Sequence, residues 1–284
     1  MPRRLLVPAL LAFAAPALAQ HADLHVCLDH VVPYTPGQPV YADSAFGLLL
    51  DGPGGALHYV GAEHSSDPGH AQFAAIEAAF AAFRPTVVFY EGPERPLEET
   101  AEGTIRSFGE SGYARFLARA AGVPVARLEP DPAEEFGAVG GTVGMEQGTL
   151  FFVLREAARL RDRRGLTGAE LDAAIASLLE RAAAVGLPVA SLDSLEAAYH
   201  RHFTTPADWR DAPAAWFDPF ADDAATGGQF MAAANRASSD FRNRHMTRVL
   251  AAAARGGGRV FAVVGRNHVP MQAAALRCAL APSP

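Results

Sequence analysis

Short apolar runs alternate with amphipathic stretches along the first half of the chain. Residues 46–51 and 57–61 read as two strands separated by the turn signal Gly-Pro-Gly-Gly at 52–55. The stretch from His70 to Phe83 places Phe73, Ile76, Phe80 and Phe83 at helical spacing, and Pro85 stops it. Thr86–Tyr90 (TVVFY) is a β-rich run suited to a buried parallel strand. A helix around Tyr113–Ala121 then leads through Gly122 to a further short strand at Val123–Leu128. This alternation over 57–128 predicts an α/β fold with a central, mostly parallel sheet and flanking helices.

Beyond residue 140 the period changes. Gly144–Arg164, Thr167–Val185 and Gly227–Ala254 read as long helices, with Thr167 placed as an N-cap before Glu170. The stretch 203–223 between the last two reads as an ordered loop. Arg259–Val264 (RVFAVV) returns as a strand and Pro270–Leu280 closes as a helix. The expected organisation is therefore a single α/β domain over 20–284 with a mainly helical insertion at about 140–230.

Composition narrows the setting. The 284 residues are 50% hydrophobic and 19% charged, enough for a sizeable core, and all 24 basic residues are arginine. The formal charge of −7, with no block of like charge, leaves no footprint for nucleic acid or an anionic membrane surface. Residues 1–19 have the layout of a secretory signal peptide. Arg3 and Arg4 precede an apolar stretch too short to span a bilayer, and Ala17-Leu18-Ala19 forms a small-x-small cleavage site. The expected location is periplasmic or secreted, with no stable membrane span once the leader is removed. In such a compartment Cys27 and Cys278 are expected to pair as a disulfide, the alternative being two unrelated buried thiols.

Candidate chemistry collects at the strand ends, where ligands bind in open parallel sheets. LHYVGAEH at 57–64 runs through Gly61 to Glu63 and His64, and RVFAVVGRNH at 259–268 runs through Gly265 to His268. The bare pattern G-x-x-H is weak, since about one match is expected by chance, and His58 supplies a spurious one. The other two matches each follow an apolar run and precede a helix. Strand 86–90 delivers Glu91, and strand 123–128 delivers Glu129. On the last long helix, Arg242 falls on the stripe formed by Met231, Asn235, Ser238, Met246, Val249, Leu250 and Ala253. An inward arginine requires a carboxylate, a carbonyl or an anionic ligand, so Arg242 is either a structural bridge or part of a site. His70, at a helix start, is placed at the site mouth or in helix-end packing. No phosphate loop and no G-x-S-x-G is present.

Taken in order, Gly61–His64, Glu91, Leu128-Glu129, Arg242-Asn243 with Met246, and Gly265–His268 resemble the TraB/GumN/TIKI family, within the wider erythromycin-esterase/ChaN-like group. The resemblance covers roughly residues 55–280. It implies an EreA/ChaN-like α/β fold and a site of His64, Glu91 and His268, with Arg242 nearby. Some relatives are metal-dependent proteases, others activate water with a histidine and a carboxylate, and ChaN-type relatives bind haem. The expectation is a secreted hydrolase of peptide, ester or other small-molecule substrates. His64, Glu91 and His268 would hold a divalent metal (Mn, Co or Zn), Glu63 or Glu129 would act as general base, and Arg242 would stabilise negative charge. Asn243 and His70 complete the expected surroundings. The alternative is a periplasmic haem- or metal-binding protein without turnover.

Overall fold

The computed structural model describes residues 24–33, 47–52, 54–184, 186–218, 226–227 and 229–281. The expected signal peptide at 1–19 lies outside them. The chain divides into two compact units. One gathers the described residues of 24–32, 47–129 and 243–281, and the other those of 130–242 together with Pro33.

The first unit is α/β. Its strands are β1 (Leu48–Asp51), β2 (Ala56–Ala62), β3 (Val87–Tyr90), β4 (Val125–Arg127) and β5 (Arg259–Gly265). They form one mixed sheet in the order β1-β2-β5-β3-β4. Only β1 runs antiparallel, against β2; the β2–β5, β5–β3 and β3–β4 pairs are parallel. The most apolar strand, β5, lies in the middle with Val260–Val264 all buried, as a strand covered on both faces requires.

Side chains alternate across this sheet. On one face Val60, Val88, Phe261 and Val263 pack with Phe73, Ile76 and Phe80 of α2 (Ala71–Phe83) and with Ile105, Tyr113 and Ala118 of α3 (Ala101–Ala121). On the other, Tyr59, Phe89, Ala262 and Val264 pack with the end of α8 (Met231–Arg255), through Met246, Leu250 and Ala254, and with α9 (His268–Leu280). A short N-terminal helix, α1 (24–28), is tied to α9 by the Cys27–Cys278 disulfide. The expected pairing is therefore present, and the described residues contain no free cysteine.

The second unit is helical: α4 (Pro132–Val143), α5 (Met145–Arg164), α6 (Gly168–Ala184), α7 (Leu192–His202), two 3-10 turns at Trp209–Asp211 and Ala214–Phe217, and the first half of α8. Leu150, Phe151, Leu154, Ile175, Leu179, Tyr199 and Trp209 fill its core. Among the described residues no helix is long and apolar enough to cross a membrane.

Several boundaries differ from the sequence pattern. Helix α3 begins at Ala101, twelve residues before the expected start, because Thr100 caps it by accepting from the Gly103 N–H. It is broken inside at Gly109, with φ 60° and ψ −147°. Helices α4 and α7 were not expected. The expected helix at 144 is the second of two, parted by Gly144 at φ 97°. Helix α9 starts two residues early, which makes His268 its first residue.

Candidate active site

Strand register brings the two Gly-x-x-His turns together. Gly61 pairs with Val264 and Ala62 with Gly265, so β2 and β5 end at the same height. Tyr90 pairs with Val263, and the next residue, Glu91, donates its N–H to the Val263 carbonyl at 3.3 Å. Three neighbouring strands therefore release His64, Glu91 and His268 at one edge of the sheet. The turns themselves are fastened by the Arg266 N–H, which donates to the Ala62 carbonyl at 2.8 Å.

Gly61 is needed for the close approach of the two turns. A Cβ on Gly61 would lie 2.8 Å from Val269 Cγ2 and 3.0 Å from Arg266 Cα. At Gly265 the same construction lies 3.4 Å from Glu91 Oε2 and 3.5 Å from His64 Nε2. With no side chain in the way, the Gly265 N–H donates to Glu91 Oε2 at 2.7 Å. That bond fixes the carboxylate beside His268, on the side of Gly265 that His64 Nε2 also approaches.

His268 is held at both ring nitrogens. Asn243 Oδ1 lies 2.8 Å from His268 Nδ1 and also accepts from Gln272 Nε2 at 2.8 Å. The other end of the Asn243 amide donates toward Met271 Sδ, so the amide presents its oxygen to the ring. Nδ1 must then carry the hydrogen. Nε2, 3.2 Å from Glu91 Oε1, is left with a lone pair in the neutral ring. Asn243, Gln272 and Thr247 are fully buried, and Thr247 donates to Gln272 Oε1 at 3.3 Å. A buried polar chain of this kind is stable only when each member is satisfied.

His64 has a partner that the sequence pattern did not reveal. Its Nδ1 lies 2.6 Å from Glu110 Oε1, on the helical turn after the break in α3. The pair is lopsided: the His64 side chain is 79% exposed and that of Glu110 only 6%. One signal was present in the sequence. Glu110 stands three and four residues before Tyr113 and Ala114 on the buried stripe of α3, a carboxylate where an apolar residue would be usual.

Glu63 is occupied otherwise. Its carboxylate pairs with Arg266 and lies 3.7 Å from His70 Nε2. Its backbone is clamped by buried Gln72, which accepts from the Glu63 N–H and donates to the Glu63 carbonyl, both at 2.8 Å. His70 in turn caps α2 through Nδ1, accepting from the Gln72 N–H. These residues form a polar rim beside His64. Glu129 is half-buried just beyond the edge strand β4, and Arg242 is half-buried as the last residue of the second unit. Asn243, its neighbour, reaches the site through the His268 ring.

Among the described residues, no group of three or more His, Cys, Asp or Glu side chains stands ready-made around a metal position. The chemistry of the donors fits one, since two imidazole nitrogens and a carboxylate are a common set for divalent ions. The 3.2 Å between His268 Nε2 and Glu91 Oε1 is within the ~4 Å that two ligands bonded at ~2 Å can span. The chain matches no family model, no curated protein and no solved structure.

Proposed function

We propose that the protein is a secreted hydrolase that cleaves a peptide or ester bond at His64, Glu91 and His268 with the help of a divalent cation. The observation that carries this reading is the shared orientation of the two imidazoles. Each has its Nδ1 engaged by an acceptor. His268 Nε2 faces Glu91 Oε1, and His64 Nε2 and Glu91 Oε2 both border the open space above Gly265. A lone pair 3.2 Å from a carboxylate is favourable only with a proton or a cation between them. A bound divalent ion would supply a Lewis acid and a water acidic enough to ionise near neutral pH.

The residues have separate tasks in this reading. Asn243 and Glu110 keep hydrogen on Nδ1 of each ring, so that Nε2 carries the lone pair. Glu91 is oriented by the Gly265 N–H and holds negative charge beside His268. The exposure of His64 leaves the site open to substrate from solvent. Arg266, paired with Glu63, and His70 give the rim polar groups that can meet a peptide or ester. The resemblance to the TraB/GumN/TIKI family supports hydrolysis, and the Cys27–Cys278 disulfide supports an oxidising compartment.

The test is reconstitution. Protein stripped with a chelator is reloaded with Mn, Co or Zn and assayed on panels of peptides and esters. Cleavage should return with one of these ions and fall at least ~100-fold in His64→Ala and His268→Ala, since both are placed to act on the reacting centre. Cleavage that survives His64→Ala would overturn the site. Stoichiometric metal binding or a haem Soret band, without cleavage of any panel member, would identify a binding protein instead.

A further inference from the structure

We propose that Glu110 is a positioning residue for His64, delivered by the break in α3, and that it makes His64 the stronger of the two imidazole donors. The role of His64 as a donor rests on the hydrolase reading; the Glu110–His64 relationship does not.

Glu110 is a buried carboxylate on an otherwise largely apolar stripe. Glu110 lies among the buried residues of α3, beside Tyr113 and Ala114, and among the described residues its carboxylate is met by the His64 ring at 2.6 Å. A carboxylate withdrawn from water is costly unless a donor meets it. An apolar side chain would fill the stripe without that cost, so packing alone does not account for Glu110. The exposed partner, His64, gains what the buried one supplies: a fixed ring.

The backbone of α3 is shaped at the same place. Gly109 adopts φ 60° and ψ −147° in the middle of a helix, a conformation essentially restricted to glycine. A Cβ there would lie 3.0 Å from the carbonyl oxygen of Ser65, the residue after His64. The break therefore occurs where α3 passes the His64 turn, and the residue following it is Glu110. Local rules of helix formation are broken at the one place that brings this carboxylate to the ring, as happens at functional sites.

The two imidazoles are held by unlike acceptors. Asn243 offers His268 a neutral carbonyl oxygen, whereas Glu110 offers His64 a carboxylate. Both select the Nδ1–H tautomer, but an anionic acceptor also draws on the Nδ1 proton and raises electron density at Nε2. Carboxylates behind metal-binding histidines act in this way, and removing one costs about 10- to 100-fold in metal affinity.

Two measurements test the proposal. In metal-free protein above neutral pH, long-range proton–nitrogen correlation of labelled histidine reads each tautomer directly. His64 should be Nδ1–H in the unsubstituted protein and should shift toward the Nε2–H form favoured in water in Glu110→Leu. His268 should not change. Calorimetric titration with Zn should show about 10- to 100-fold weaker binding in Glu110→Gln, a near-isosteric change that keeps the test available if Glu110→Leu fails to fold. Glu102→Gln, an exposed change in the first turn of the same helix, should alter neither readout. An unchanged His64 tautomer in Glu110→Leu, or unchanged Zn affinity in Glu110→Gln, overturns the proposal. If the tautomer depends on Glu110 but even the unsubstituted protein binds no metal, positioning stands, and both the stronger-donor assignment and the metal part of the hydrolase reading fall.

Discussion

Asn243 Oδ1 stands 2.8 Å from His268 Nδ1 and 2.8 Å from Gln272 Nε2, so one buried carbonyl oxygen orients the histidine and satisfies the glutamine together. Asn243→Leu should therefore damage stability and site at once. It leaves the Gln272 donor without its acceptor, at a cost of about 1–3 kcal/mol in urea unfolding. It also frees the His268 ring, which should weaken metal binding by tenfold or more. Gln272→Leu, which keeps the Asn243–His268 bond, should show a smaller loss of affinity.

The disulfide makes a separate prediction about stability. Cys27 and Cys278 are 251 positions apart, so the bridge restricts the unfolded chain over nearly its whole length. Loop-closure entropy for so long a loop amounts to about 5.5 kcal/mol. Reduction, or the Cys27→Ser and Cys278→Ser pair of changes, should lower the urea midpoint accordingly. Zn affinity should stay close to that of the oxidised protein, because the bridge lies near the end of α9 and His268 at its start.

The parts of the site that could be read from the chain are those carried by strands. Continuous apolar runs ending in Gly-x-x-His identify β2 and β5, and their parallel pairing brings the two histidines to the same edge. Glu110 was hidden for a physical reason: its contact spans 46 residues and depends on a helix break that no local pattern announces. The glycines at 103, 109 and 112 obscured the first half of α3, where an N-cap and buried contacts outweigh low helix propensity. Helix α7 was missed because its capping box closes with Ser194 in place of the usual Glu or Gln.

The surroundings of Glu63 argue against a role as general base. Its carboxylate is shared between Arg266 and His70 at a half-exposed rim. Glu63→Gln should lower kcat/KM by less than about tenfold, through a looser rim, against ~100-fold or more for His64→Ala. A drop as large as that of His64→Ala would return Glu63 to the chemistry.

At the opposite end of β2, His58 is packed edge-on between Phe83 and Phe261. Burial lowers its pKa below the ordinary 6.5. The folded state therefore binds a proton less readily than the unfolded chain. Stability should hold above pH ~6.5 and decline as pH falls through that value toward the lower folded pKa, below which this contribution is constant. Urea unfolding across pH 4–8 should show that part of the decline removed in His58→Phe.

The two turn glycines should respond to alanine in opposite ways. At Gly61 the added methyl would meet Val269 Cγ2 at 2.8 Å and the Arg266 backbone at 3.0 Å. The turn must shift, and the cost should be about 1–3 kcal/mol. At Gly265 the nearest atoms, Glu91 Oε2 and His64 Nε2, lie at 3.4 and 3.5 Å, an ordinary contact distance, and the backbone is not in a conformation that demands glycine. Gly265→Ala should therefore unfold within about 1 kcal/mol of the unsubstituted protein. Its methyl would nevertheless stand between the carboxylate and the ring. Metal affinity and kcat/KM should fall at least tenfold, by blocking a space that the fold does not need to fill. Equal loss of stability in both variants would mean that Gly265 serves the turn rather than the site.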